Sequence, residues 1–200
     1  MKKNTDIQWQ LAITQALPEI VDQFVGAAVL ILLRVKDGKL QVLLTQRSAN
    51  LRHHANEWSL PGGKLEPNEN SLQASLRESN EEIGLLSEQV EILGQLKNFK
   101  AKSGQDVAVW VAALCDDTFE AQMNLDEVQQ VVWLDLHLLL AEPDRQHRFV
   151  RNNQTILIPF YDVLTPSLWG LTAMILQIMV KNLKIQFDDL PVLQTLLSNK

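Results

Sequence analysis

The chain has 200 residues, 46% hydrophobic and 21% charged, a balance that suits one sizeable core. Its net charge of −6 and pI near 5.2 leave no electrostatic footprint for duplex nucleic acid, although local Lys and Arg can still hold a nucleotide-sized polyanion. A single cysteine, Cys115, excludes an intrachain disulfide framework and fits a reducing compartment, so the expected location is the cytoplasm.

From the N-terminus, Met1-Lys2-Lys3-Asn4-Thr5-Asp6 lacks the apolar core of a secretion signal. Residues 6–17 read as a short helix ending near Pro18, and residues 1–24 as a helical extension to a domain spanning 25–200. Val25–Leu33 and Leu40–Thr45 are β-rich runs about the turn Lys36-Asp37-Gly38-Lys39, a hairpin signal. A helix is expected over about 70–83, because Pro61-Gly62-Gly63 breaks the chain, Asn68 or Asn70 can cap the start, and Gly84 can adopt the left-handed conformation at the end. Val90–Asn98, Val107–Leu114 and Gln130–Leu134 read as strands, with Lys102-Ser103-Gly104-Gln105-Asp106 as a turn and Cys115 as a strand-end structural thiol. Further helices are expected at about 135–141, 168–182 and 190–198, and Glu142–Gln154 as a long mobile loop near a substrate. The apolar run Leu168–Val180 carries Thr172 and Gln177 and stops at Lys181-Asn182, short of the roughly twenty residues that span a bilayer. It reads as a buried helix that is also the expected contributor to a homodimer interface. Strands around one central helix, with a second long helix late in the chain, fit an α/β/α sandwich on a mixed sheet.

The central helix carries the chemistry. At roughly 100° per residue, Leu72, Leu76 and Ile83 fall within about 40° of one another, while Glu78, Glu81 and Glu82 lie nearly opposite. The wheel therefore gives one core face and one acidic face. Unneutralised carboxylates at i,i+3 and i,i+4 repel by a few tenths of a kcal/mol per pair. Arg77, four residues before Glu81, can neutralise one charge, and hard oxygen ligands on one face suit Mg²⁺ or Mn²⁺ together with substrate phosphates. The plain alternative is a solvated acidic surface, the usual fate of a charge run.

The surrounding residues decide between them. Gly63, five residues, Glu69, seven residues, Arg77-Glu78, Ser79, Asn80, Glu81-Glu82, Ile83, Gly84, Leu85 resembles the signature box of the Nudix hydrolases, with Ser79 where a bulky aliphatic is usual. Leu43-Leu44-Thr45-Gln46-Arg47-Ser48, Leu51-Arg52-His53-His54 and Pro61-Gly62-Gly63 upstream are similar to the coenzyme A pyrophosphatase branch of that family. So are Asp126-Glu127-Val128, Trp133-Leu134, Pro159-Phe160-Tyr161 and Leu168-Trp169-Gly170-Leu171-Thr172-Ala173 downstream. The chain departs from that branch at Asn56-Glu57, where Gly-Gln is usual, and at Leu60, where Phe is usual. The resemblance covers roughly residues 25–180 and implies a Nudix-type α/β/α sandwich on a mixed β-sheet.

It also implies an enzyme and a set of roles. Glu78, Glu82 and Glu81 are the expected metal ligands, for Mg²⁺ or Mn²⁺, and Arg77 orients them. Glu81 and Glu127 compete as general base, since proximity to the attacked water decides that role. Arg47 and Arg52 are expected on substrate phosphate, Arg being suited to bidentate contact, with His54 as a further phosphate contact. Gly62 and Gly63 bring backbone close to a phosphate or metal. Trp110 and Trp133 are expected in the core, and Trp58 is the tryptophan placed to touch a ligand. The expected reaction is hydrolysis of a nucleoside diphosphate linked to another moiety. Coenzyme A or acyl-coenzyme A would give 3′,5′-ADP and (acyl-)4′-phosphopantetheine. ADP-ribose or NADH is the alternative substrate, and a non-catalytic ligand-binding domain the alternative class.

Overall fold

The computed structural model describes residues 4–18, 25–116, 118–141, 143–151, 154–185 and 191–197. Helix α1 (Asn4–Ala16) precedes the hairpin β1 (Ala27–Lys36) and β2 (Lys39–Arg47), the short strands β3 (Trp58–Ser59) and β4 (Gly62–Lys64), and helix α2 (Ser71–Ile83). Strands β5 (Val90–Lys100), β6 (Asp106–Leu114) and β7 (Val128–Asp135) follow. Then come β8 (Arg145–Arg151), β9 (Gln154–Tyr161), β10 (Leu168–Trp169), α3 (Gly170–Ile185) and α4 (Pro191–Leu196).

The main sheet runs β3-β2-β1-β6-β5, with β4 also paired to β1 and β7 to β2. Strand β1 is parallel to β6 and antiparallel to β2 and β4, which makes the sheet mixed. Helices cover both of its faces, so β1 reads as a continuous apolar run rather than an alternation. Its Leu30 and Leu32 pack with Ile83 and Leu85 on the α2 side. Ile31 and Leu33 pack on the other side with Trp9 and Ile13 of α1, Leu176 and Met179 of α3 and Leu193 of α4. The expected α/β/α sandwich is present, and α1 shares its core. Buried Ala173, Ile175, Leu176, Met179, Val180 and Leu183 place the apolar face of α3 in that same core.

Several expectations change. Residues 136–139 form one 3-10 turn in place of the helix at 135–141, and Leu168–Trp169 is a strand, so the helix begins at Gly170. The mobile loop expected over 142–154 is largely β8, antiparallel to β9 from Arg145↔Phe160 to Arg151↔Gln154; residues 142, 152 and 153 lie outside the described residues. Arg, Gln and His hid that strand because they sit on an exposed hairpin, where polar side chains need no apolar alternation. The acidic face of α2 also needs correction. Its buried residues are Ala74, Ser75, Ser79, Glu82 and Ile83, so the helix is turned with Glu82 inward and Leu72 and Leu76 only half-buried. Trp58 is buried in the core and touches no open site.

Helix α2 is held at both ends. Asn70 Oδ1 accepts from Gln73 N and Gln73 Oε1 accepts from Asn70 N, each at 2.9 Å, a reciprocal cap. Gly84, at φ 70°, closes the helix by donating to Asn80 O. Replacing Asn70 by Ala should therefore cost about 1 kcal/mol of unfolding free energy, with Asp at this position close to neutral. Urea titrations of the three proteins measure this, and equal midpoints for Asn and Ala would refute the cap.

Candidate active site

The site forms where β4, α2 and the loop before β7 meet. Strand β4 pairs with β1 through Gly62 and Gly63, and both positions exclude side chains. Gly62 has φ 144°, and a Cβ there would run into the Ala28 carbonyl. A Cβ on Gly63 would occupy the space of the Glu78 carboxylate. The glycines thus let the backbone lie against the carboxylates of α2, and Gly62 N donates to Glu82 Oε2 at 3.3 Å.

Arg77 organises the other acids. Its Nε and Nη2 fork onto Glu69 at 3.2 and 2.9 Å, Nη2 also reaches Glu78 Oε1 at 3.1 Å and Lys64 O at 3.0 Å, and Nη1 donates to Glu81 Oε2 at 3.0 Å. The hydrogen bonds from Arg77 hold the Glu69 carboxyl below its usual range, and the same pairings raise the Arg77 pKa. The sequence reading placed Glu69 in the motif without a task; its eight-residue separation from Arg77 was the available signal.

The remaining carboxylates differ in environment. Glu81 is 51% exposed at its side chain and is turned toward Arg77. Burial pushes the Glu78 carboxyl up, against the hydrogen bond from Arg77 that lowers it. Glu82 is 2% exposed, and desolvation raises it to about 8, against the lowering influence of Gly62 N–H and Arg47. Glu127 raises both Glu78 and Glu82 through its charge. Its placement follows from helix termination. The last carbonyls of α2 lack helical partners; Gln122 N donates to Ile83 O and Asn124 N to Glu82 O, which leads the chain to Glu127. Ser48 N then donates to Glu127 O at 2.7 Å and ties this loop to the end of β2.

The structure therefore brings Glu78, Glu82, Glu127 and Arg47 together, with Gly62 and Gly63 against them. Arg47 Nε is buried without a hydrogen-bond partner. Arg52 and His54 lie farther out on the loop 48–57, both exposed, and His54 Nδ1 is 2.9 Å from Glu57 Oε2. Among the described residues no three His, Cys, Asp or Glu side chains form a ready-made metal cage. A hard divalent ion does not require one, since Mg²⁺ is commonly held by one or two carboxylates with waters and substrate phosphates. Glu78 and Glu82, one helical turn apart under the glycine backbone, fit that donor set.

A buried Glu82 has a thermodynamic signature in metal-free protein. Its folded pKa of about 8 exceeds the ordinary 4.5, so between these values the folded state retains a proton that the unfolded state has lost. Stability falls as pH rises through that window, and the penalty is complete above pH 8. In EDTA, Glu82→Gln should be more stable than the parent by on the order of 2 kcal/mol at pH 8.5, with the gap closing at pH 5. Denaturant titrations at the two pH values test it; a gap independent of pH would show that Glu82 is not a desolvated carboxylate.

Residues 25–152 match the NUDIX domain family. Nudix hydrolase 3 of Caenorhabditis elegans is 32% identical over 167 residues, covering 74% of this chain and 69% of the worm protein. The uncharacterized Nudix hydrolase NudL of Photorhabdus laumondii subsp. laumondii is 30% identical over 180 residues, covering 89% of this chain and 95% of the relative. Among solved structures, a MutT/nudix family protein from Enterococcus faecalis superposes with a TM-score of 0.53 over 90% of this chain and 70% of its own, and at 23% identity it supports the fold alone. By the extent of these matches, and with the box helix assembled as that family requires, the chain belongs to the Nudix hydrolases.

Proposed function

We propose that this Nudix hydrolase is a divalent-metal-dependent enzyme that cleaves coenzyme A or an acyl derivative into 3′,5′-ADP and (acyl-)4′-phosphopantetheine. The observation that carries the hydrolytic reading is the pair Glu78 and Glu82 set against the Gly62–Gly63 backbone, with Glu127 beside both. Glu78 and Glu82 hold Mg²⁺ or Mn²⁺, Glu81 adds a third carboxylate from the same turn, and Arg77 orients the cluster. When bound, the ion supplies positive charge to the phosphate oxygens of the substrate. Water adds to one phosphorus, the bridging P–O bond breaks, both fragments leave as phosphate monoesters, and Glu127 takes the proton. Glu127 suits this role better than Glu81, which is engaged by Arg77.

The substrate half of the reading rests on Leu51-Arg52-His53-His54, on an exposed loop whose base is formed by Arg47 and by the Ser48 contact to Glu127. Arg47, Arg52 and His54 are the cations assigned to the phosphates. Glu57, whose charge would oppose an incoming anion, is paired with His54. No helix among the described residues is long and apolar enough to cross a membrane.

Glu82→Gln conserves shape and removes a charge, so it should fold cooperatively and turn over roughly 10²-fold more slowly or worse with Mg²⁺. Near-parental turnover in that variant would remove the basis of the mechanism. Coenzyme A, ADP-ribose and NADH assayed side by side with Mg²⁺ and Mn²⁺ settle the substrate. If coenzyme A is cleaved, dephospho-coenzyme A should lose more than tenfold in kcat/KM, corresponding to one charge-assisted contact of about 1.5–3 kcal/mol. Faster cleavage of ADP-ribose or NADH would overturn the coenzyme A assignment and leave the hydrolytic mechanism intact.

A further inference from the structure

The pairing of β2 with β7 is regular from Gln41↔Asp135 to Gln46↔Gln130, and then Arg47 pairs with Val128. Gln129 is the extra residue at this shift. A bulge of this kind re-aims a side chain, and here it lies two residues beyond Glu127. The Gln129 side chain spans the neck of the loop 48–57. Its Oε1 accepts from Ala49 N at 3.3 Å on one side, and its Nε2 donates to Asn56 Oδ1 at 2.9 Å on the other. Asn56 is held from below as well: its carbonyl accepts from Gln46 Nε2 at 3.2 Å and its N–H donates to Arg47 O at 3.1 Å. It sits at φ 62°, a left-handed conformation that Asn adopts more readily than most residues.

Beyond this neck the loop displays Arg52 and His53, both exposed. A loop of ten residues carrying such cations would lose substantial freedom on closing around a phosphate, and fixing its neck in advance removes part of that cost. We infer that Gln129 and Asn56 form a clamp that presents the 48–57 loop to the substrate, and so act as positioning residues that set apparent affinity rather than the chemical step. This rests on the reading above that Arg52 meets substrate phosphate. The clamp is particular to this chain, because it uses the Asn56 amide at a position where the resembled branch has Gly.

The test combines kinetics with amide exchange, using coenzyme A and, in parallel, ADP-ribose as probes with Mg²⁺. Gln129→Ala and Asn56→Gly, the latter keeping the left-handed backbone free of strain, should each raise KM roughly five- to twentyfold with kcat within about twofold. The double variant should be no worse than either single one, since both remove the same contact. In an Arg52→Ala background, Gln129→Ala should have little further effect on KM. Hydrogen exchange without substrate should accelerate over residues 49–56 in both single variants and stay unchanged in α2. Unchanged loop exchange, or additive KM effects of Gln129→Ala and Arg52→Ala, would overturn the clamp. An unaltered KM in Arg52→Ala alone, with loop exchange still accelerated by Gln129→Ala, would instead overturn the phosphate role of Arg52 and leave the clamp as a loop-ordering device.

Discussion

One guanidinium holds the acidic helix together. Glu69, Glu78 and Glu81 all bond to Arg77, and Arg77 also takes the carbonyl of Lys64 just after the glycine pair. Without that charge, a tight turn carrying Glu78, Glu81 and Glu82 would oppose its own helix, as like charges at these spacings do. The exposed limb to Glu81 contributes little to stability, as surface pairs generally do. The limb to Glu69 is more enclosed and bidentate, so it governs how the segment 64–69 lies over α2. Backbone position and carboxylate position are therefore set by the same side chain.

Glu82 stands outside this arrangement, and that separates it chemically from its neighbours. It is buried beside Ser75 and Ser79, with Gly62 N–H as its hydrogen-bond donor. The small residues Ala74, Ser75 and Ser79 make room for it, and the Ser79 hydroxyl donates back to Ser75 O at 2.7 Å instead of seeking a partner across the interface. A bulky aliphatic at Ser79 would fill more of that space. The departure from the family pattern thus bears on helix-to-sheet packing next to the buried carboxylate.

Those features divide what could be read from sequence. Asn70 and Gly84 mark the ends of α2 through local chemistry alone, and the structure has both caps in place. The β1–β2 hairpin was equally visible, because its turn and its apolar runs are contiguous. The rotation of α2 was not visible. A helical wheel assigns charged residues to solvent, and only the Gly62–Gly63 backbone, supplied by a separate strand, gives Glu82 a reason to turn inward. The strand β8 was missed for the related reason that its exposed, Arg-rich edge carries no alternation of burial. The contacts of Gln129 were hidden as well, since a bulge depends on the register between two distant strands.

The parallel pairing of β1 with β6 has a consequence for how the molecule is made. Each of the hairpins β1–β2 and β5–β6 joins neighbouring segments, whereas β1 and β6 meet across some seventy residues of chain, from Ala27↔Val107 to Leu33↔Ala113. Such long-range closure is the slow kind of step, because loop entropy is lost before contacts compensate it. Helix α2 lies within the closing segment, and its buried face needs the joined strands beneath it. A nascent chain released before β6 would hold the complete signature motif and still lack the floor on which Glu82 is desolvated. Maturation of the acidic cluster is in this sense a tertiary event, timed by the central strands.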